Sequence, residues 1–188
     1  KNLLLLEKKF EYKKIIEIGA GYGDKILNLA KSNLLKPNIT YVAADISQNG
    51  LDCCQILSQK MGIKLSTIKS SFYEDKDFSK DLFKESIIFT SYSLHYRRSL
   101  TLNDLKKFIH AGVKGGVHFE PCSDLYNNIK DDLYKIFAMK YFYINNYLME
   151  IGKAFIQAKD EGIINLSIEE NKLGAGLLPH SNIVWHVI

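Results

Sequence analysis

Seven consecutive residues, Glu17-Ile18-Gly19-Ala20-Gly21-Tyr22-Gly23, combine an acid with three glycines at alternate positions. Such glycines let a backbone turn tightly and approach a ligand at van der Waals distance, and the helix that follows offers free N–H groups at its start. Asp45 follows Gly23 by 22 residues, a distance at which a carboxylate can accept both hydroxyls of a ribose. A dinucleotide fingerprint, G-x-G-x-x-G, needs its third glycine at position 24, where this chain has Asp24. A carboxylate there repels a pyrophosphate, which disfavours a nicotinamide dehydrogenase. Farther along, His95 is the side chain best suited to take a proton near neutral pH. Glu120 is a second base or a ligand-binding carboxylate. Tyr96-Arg97-Arg98 includes an arginine able to hold an anionic group through a bidentate fork.

These residues need a scaffold, and the chain alternates short β-branched runs with helix-period segments, the pattern of βαβ units. Strands are expected at 14–18, 39–44, 64–69, 86–90 and 116–120. A helix over 24–35 puts Ile26, Leu27, Leu29, Ala30 and Leu34 on one side and stops before Pro37. Ser47 or Asn49 caps a second helix running to Met61, and a third spans 101–110. Residues 124–159 form a long helical stretch, with Leu125, Ile129, Leu133, Ile136, Tyr147, Leu148, Ile151 and Phe155 at three- and four-residue steps. It is expected to break near Asn145-Asn146 or Gly152. Its aromatic residues suit a lid over the ligand or the face of a homodimer. Segments 163–168 and 182–187 read as an antiparallel hairpin around a turn holding Gly174, Gly176 and Pro179. His110 then ends a helix, His118 is buried in a strand and His186 is structural. The whole is an α/β, doubly wound, mostly parallel sheet with an antiparallel edge. Ligands in such sheets bind beyond the carboxyl ends of the strands. That rule draws Glu17 to Gly23, Asp45, Ser71-Phe72, Tyr92 to Arg98 and Glu120 onto one rim.

The 188 residues make a single domain, 1–188. A net charge of +4 arises from 25 basic and 21 acidic residues interleaved along the chain, with no like-charged run of the kind that binds nucleic acid. Three cysteines, Cys53, Cys54 and Cys122, give no disulfide framework and read as small buried apolar groups in a reducing, cytoplasmic setting. No apolar stretch nears the ~20 residues that span a bilayer, so no membrane partner is expected. The sequence begins at Lys1 without an initiator Met, and Leu3 to Leu6 already reads as part of an element, so a preceding segment is expected.

The run E-x-G-x-G-x-G from Glu17 to Gly23 resembles motif I of the class I S-adenosylmethionine (SAM) methyltransferases. A sulfonium ligand carrying an ammonium group tolerates carboxylates that a pyrophosphate would not. The resemblance covers residues 12–188 and implies a seven-stranded sheet with an antiparallel last strand, SAM as cofactor and S-adenosylhomocysteine (SAH) as product. It implies that Glu17, Gly19, Ala20 and Gly21 form the loop under the methionine part and that Asp45 binds the ribose. Ile46, Ser71 and Phe72 then lie by the adenine, and Tyr92 to His95 face both methyl donor and acceptor. His95 becomes the base with Glu120 assisting, while Tyr96, Arg97, His180 and Asn182 bind a small-molecule acceptor. Relatives that use a divalent ion take acids after the fourth strand; this chain offers none before Asp104, so no metal is expected. The chain is similar to sugar-type bacterial methyltransferases, including those of capsular polysaccharide and its O-methyl phosphoramidate decoration. That likeness rests on Ser-Leu-His-Tyr at 93–96 and His-Ser-Asn-Ile-Val-Trp-His at 180–186. The implied reaction is methyl transfer to an oxygen or nitrogen of a small polar metabolite. One rival is RNA methylation, whose enzymes commonly carry an Asn- or Asp-Pro-Pro-Tyr segment where this chain reads Ser91-Tyr92-Ser93-Leu94. Another is a SAM-binding module without catalysis.

Overall fold

The computed structural model describes residues 3, 6, 9–70, 80–176 and 178–188. Its strands are β1 (Lys14–Ile18), β2 (Thr40–Asp45), β3 (Leu65–Lys69), β4 (Ser86–Ser91), β5 (Val113–Glu120), β6 (Ile164–Ala175) and β7 (Leu178–Val187). They form one sheet in the order β3-β2-β1-β4-β5-β7-β6. β1 to β5 run parallel, whereas β7 is antiparallel to both neighbours. The helices are α1 (Asp24–Lys31), α2 (Gln48–Lys60), α3 (Lys80–Phe83), α4 (Leu102–His110), α5 (Asp132–Ile144) and α6 (Ile151–Asp160). The expected doubly wound sheet with its antiparallel end is therefore present.

Helices on both faces explain why β1 and β4 are buried along almost their whole length rather than at alternate residues, with Glu17, Ser86 and Thr90 the polar side chains among Ile and Phe. Ile16, Ile18 and Ile88 pack with Leu105, Phe108, Phe155 and Trp185 on one face. Ile15, Ile87, Phe89 and Val117 meet Ile26, Leu27 and Leu51 on the other. Caps fix where the helices begin. Ser47 accepts from Gly50 N at 3.2 Å at the start of α2, and Thr101 and Asp104 form a reciprocal capping box on α4.

Some expectations need correction. α1 stops at Lys31 instead of 35, because Asn33 turns the chain at φ 50°, and Leu34 is 61% exposed rather than in the apolar face. The final hairpin is longer than expected: Gly174 pairs with Pro179 inside the ladder, leaving Gly176 at the turn. The 124–159 stretch breaks at Asn145–Asn146, where Asn146 has φ 54°, but it opens with a 3₁₀ segment, Ser123–Asn128. Cys53 is exposed rather than buried like Cys54 and Cys122, and Leu133 and Ile136 point to solvent.

His118 is buried in β5 as expected. The indole N–H of Trp185 can only donate, so His118 Nε2 accepts it at 2.8 Å, and Nδ1–H donates to Thr90 Oγ1 at 3.0 Å. Burial pulls its pKa down to about 3. The unfolded chain then binds a proton near pH 6.5 that the folded chain refuses, so stability is full above that pH and lost as pH falls toward 3. Denaturant unfolding between pH 7 and 4 should show His118→Gln losing less stability than the parent, by up to about 1.4 kcal/mol per pH unit. Equal losses in both proteins would refute the assignment.

Candidate functional site

The glycine loop leaves β1 at the point where strand order reverses, between β1 and β4. Gly19 N and Ala20 N donate to Ala44 O at 2.9 and 3.0 Å, tying the loop to β2. Gly19 has φ 74°, and a side chain there would collide with Ser93. Asp45 ends β2 and clamps the loop: its two carboxylate oxygens accept from Gly21 N at 2.8 Å and Ser47 N at 2.7 Å. Each oxygen keeps a further lone pair for a ligand. Gly50 brings α2 against the loop, since a Cβ there would lie 3.0 Å from Gly21 O. Gly50 was not among the expected site residues, although a glycine inside a helix is a sequence signal of close approach.

These elements enclose a cavity of about 420 Å³. Of the residues expected from the sequence, Gly19, Gly21, Asp45, Ile46, Tyr92, Tyr96 and Arg97 line it; Ile18 and Ser93, inside the rim segments Glu17 to Gly23 and Tyr92 to Arg98, do so too, and Ser70 joins them unexpectedly. Ser71 and Phe72 lie outside the described residues. Glu17 and Ala20 stand behind the wall. Ala20 packs in the core, and Glu17 is 2% exposed with Oε2 accepting from Ile26 N at 3.0 Å. Gly23, the N-cap of α1, has no side chain to cap with, so Glu17 does so from the strand. Burial, with smaller contributions from Asp24 and Asp45, pushes the Glu17 carboxyl up to about 8.

On the other side of the cavity Ser93 is held in place by Glu120, whose two oxygens both accept from Ser93 N at 3.0 Å. Ser93 Oγ donates to Ile18 O at 3.0 Å. Glu120 is fully buried and lies 3.4 Å from His95 Nδ1. His95 is also buried, its ring 4.1 Å from that of Tyr96 and 4.7 Å, edge to face, from that of Tyr147. Neither His95 nor Glu120 lines the cavity; both form the layer behind it. His180 is half-buried, with Nδ1 2.9 Å from Tyr92 Oη, which also lies 3.2 Å from Leu178 O. A carbonyl cannot donate, so both contacts are satisfied when Tyr92 donates to Leu178 O and His180 Nδ1–H donates to Tyr92. Desolvation lowers the His180 pKa, opposed by Glu120. Asn182 is buried in β7, and its Nδ2 donates to Glu169 at 3.2 Å, away from the cavity. Arg97 leans on Asp104 at 3.8 Å. Among the described residues, no three His, Cys, Asp or Glu side chains converge as metal ligands.

No family model and no curated protein matches the sequence. Solved structures match it throughout. A SAM-dependent methyltransferase from Aquifex aeolicus superposes with TM-score 0.60 at 13% identity, over 100% of this chain and 89% of that one. The fold is the class I methyltransferase fold. The N-methyltransferase NodS from Bradyrhizobium japonicum WM9, in complex with SAH, superposes with TM-score 0.61 at 10% identity, over 98% and 82% of the two chains. A putative rRNA-methylase from Clostridium thermocellum gives 0.58 at 15%, over 100% and 96%.

Glu17 binds a proton in the folded chain up to about pH 8 that the unfolded chain releases near 4.5. Its contribution is thus complete below pH 4.5 and lost as pH rises through 8. Thermal unfolding from pH 6 to 9 should show Glu17→Gln declining less steeply than the parent. Parallel curves would mean that Glu17 is ionised throughout.

Proposed function

We infer that the chain is a SAM-dependent methyltransferase acting on an oxygen or nitrogen of a small polar metabolite, such as a sugar or a phosphorylated capsule precursor. The reading is carried by Glu17 and Asp24 at the start of α1, where a pyrophosphate-binding fold presents free N–H groups. Here the Ile26 N–H is already taken by the buried Glu17 carboxyl group and Asp24 adds an acid to the first turn, so the loop suits a cation and rejects a diphosphate. The cavity wall fits the rest of such a cofactor. Asp45 offers lone pairs to two ribose hydroxyls, and Ile46 offers an apolar surface to the adenine. When bound, SAM supplies a methyl group already activated on a sulfonium.

The protein then has to align the acceptor and take its proton. His95 does the latter in this reading: Glu120 holds its Nδ1 side, which leaves Nε2 as the proton acceptor. Its ring lies under Tyr96, which is 68% exposed and able to swing aside for an acceptor. Arg97, on the cavity wall, suits an anionic acceptor group. A second reading gives the proton to His180, because the tautomer fixed by Tyr92 leaves Nε2 unprotonated on a residue already open to solvent.

Calorimetric titration should show micromolar SAH binding and no NAD binding. Asp45→Ala should weaken SAH by at least about 100-fold, since charged hydrogen bonds are worth about 1.5–3 kcal/mol each. NAD binding, or an unaffected Asp45→Ala, overturns the cofactor assignment. Isotopic methyl transfer from SAM to phosphorylated and sugar-linked metabolites addresses the acceptor side. His95→Asn should keep SAH affinity while turnover falls by about 10²–10⁴. If His180→Asn suffers that loss instead, the role passes to His180. Label appearing only in RNA fractions of a cell extract would overturn the small-metabolite reading, and no transfer to any acceptor would leave a SAM-binding module.

A further inference from the structure

α5 turns its apolar side away from the protein. Ala138 and Phe142 anchor the helix to a small core with Tyr126, whereas Leu133, Ile136, Phe137, Tyr143 and Ile144 are 63%, 61%, 49%, 82% and 68% exposed. They recur at three- and four-residue steps and so form one stripe, interrupted at its middle only by Lys140. At about 150–250 Å² for a large side chain, the stripe exposes roughly 600 Å², the upper end of what a monomer's largest patch shows.

We propose that α5 packs against α5 of a second copy of this chain, antiparallel about a twofold axis. Two such stripes bury about 1,200 Å², which reaches the size of a specific interface. Spacing and charge select the orientation. In an antiparallel pair centred between Ala138 and Met139, Leu133 faces Ile144 of the mate and Lys140 lies over the ring of Phe137. A parallel pair sets Lys140 against Lys140. One lysine in an apolar seam thus penalises the wrong register. A lipid surface suits the helix less well, because Asp131 and Asp132 crowd its first turn. The interface also reaches the site: Tyr141 contacts the ring of Tyr147 at 6.1 Å, and Tyr147 packs edge-on against Tyr96 at 5.3 Å, so a mate on α5 braces the rim of the cavity.

Sedimentation of the 188-residue chain at about 20 µM should give twice the 21.5 kDa chain mass. Ile136→Asp should raise the dissociation constant at least about 30-fold with unchanged circular dichroism, as expected for a hot-spot residue already exposed in the monomer. Leu133→Glu and Ile144→Lys chains should each be monomeric and should pair when mixed, which only the antiparallel register allows. A monomeric parent, a dimer indifferent to Ile136→Asp, or a mixture that stays monomeric would each overturn the proposal. A monomeric parent that sediments with phosphatidylcholine–phosphatidylserine vesicles would assign α5 to a membrane surface instead.

Discussion

Glu17 is the one acid in β1, and the first turn of α1 is built on it. Gly23 sits at the N-cap in a left-handed conformation that gives the loop its turn, and the same choice removes the side chain that would ordinarily accept a helical N–H. Ile26 N turns to Glu17, nine residues earlier and buried under the loop. A buried N–H left without an acceptor costs about 1–3 kcal/mol, so the carboxyl group is a structural requirement before it is anything else. Held in a dry place near Asp24 and Asp45, it keeps its proton up to about pH 8, so it completes the helix start without adding a charge beneath the cavity.

The same solution recurs at the ends of two further strands. Asp45 ends β2 and accepts from the loop at Gly21 and from the turn at Ser47; Glu120 ends β5 and accepts from Ser93 beyond β4. Parallel strands stop abruptly at their carboxyl rim, and the loops that leave them carry N–H groups with no ladder to join. Acids at the strand ends satisfy those groups with their two carboxyl oxygens. The crevice is thereby shaped by backbone held on carboxyl groups. This explains why glycine and serine, Gly19, Gly21 and Ser93, stand where the carboxyl groups hold the wall, beside the larger side chains of Tyr92, Tyr96 and Arg97.

How far this was legible in the sequence depended on the range of the interaction. The loop, Asp45 and the strand run could be read because glycine spacing, acid position and β-branched runs are local signals. Glu17 was legible as a member of the loop, yet its bond to Ile26 was not, because capping from a strand leaves no mark at the cap position. Leu34 fits the helical period of α1 but falls beyond Asn33, whose left-handed turn overrides periodicity. For α5 the period of Leu133 and Ile136 was legible and the direction they face was not: a stripe fixes which residues share a side, while the packing of Ala138 and Phe142 decides which side is inward. His95 stood at the expected strand end, but its burial comes from Tyr96 and Tyr147, the latter 52 residues away and visible only in three dimensions.

Tyr92 shows why the inversion of β7 matters to the site. A tyrosine at φ 53° carries strain of about 1–3 kcal/mol and persists only where its surroundings over-determine it. Its N–H donates to Phe119 O at 3.0 Å, its hydroxyl meets Leu178 O and His180, and its ring stands against that of His95. Two of these anchors belong to the start of β7. A parallel strand brings its last residues to the carboxyl rim, but an antiparallel strand brings its first, and pairing of Glu120 with Ser181 sets Leu178 to His180 just beyond the end of β5. The histidine and carbonyl that hold Tyr92 on the cavity wall therefore stand at the carboxyl rim because the final strand enters the sheet backwards. A parallel strand in that slot would place its opening residues at the far edge, leaving the strained tyrosine without these two partners.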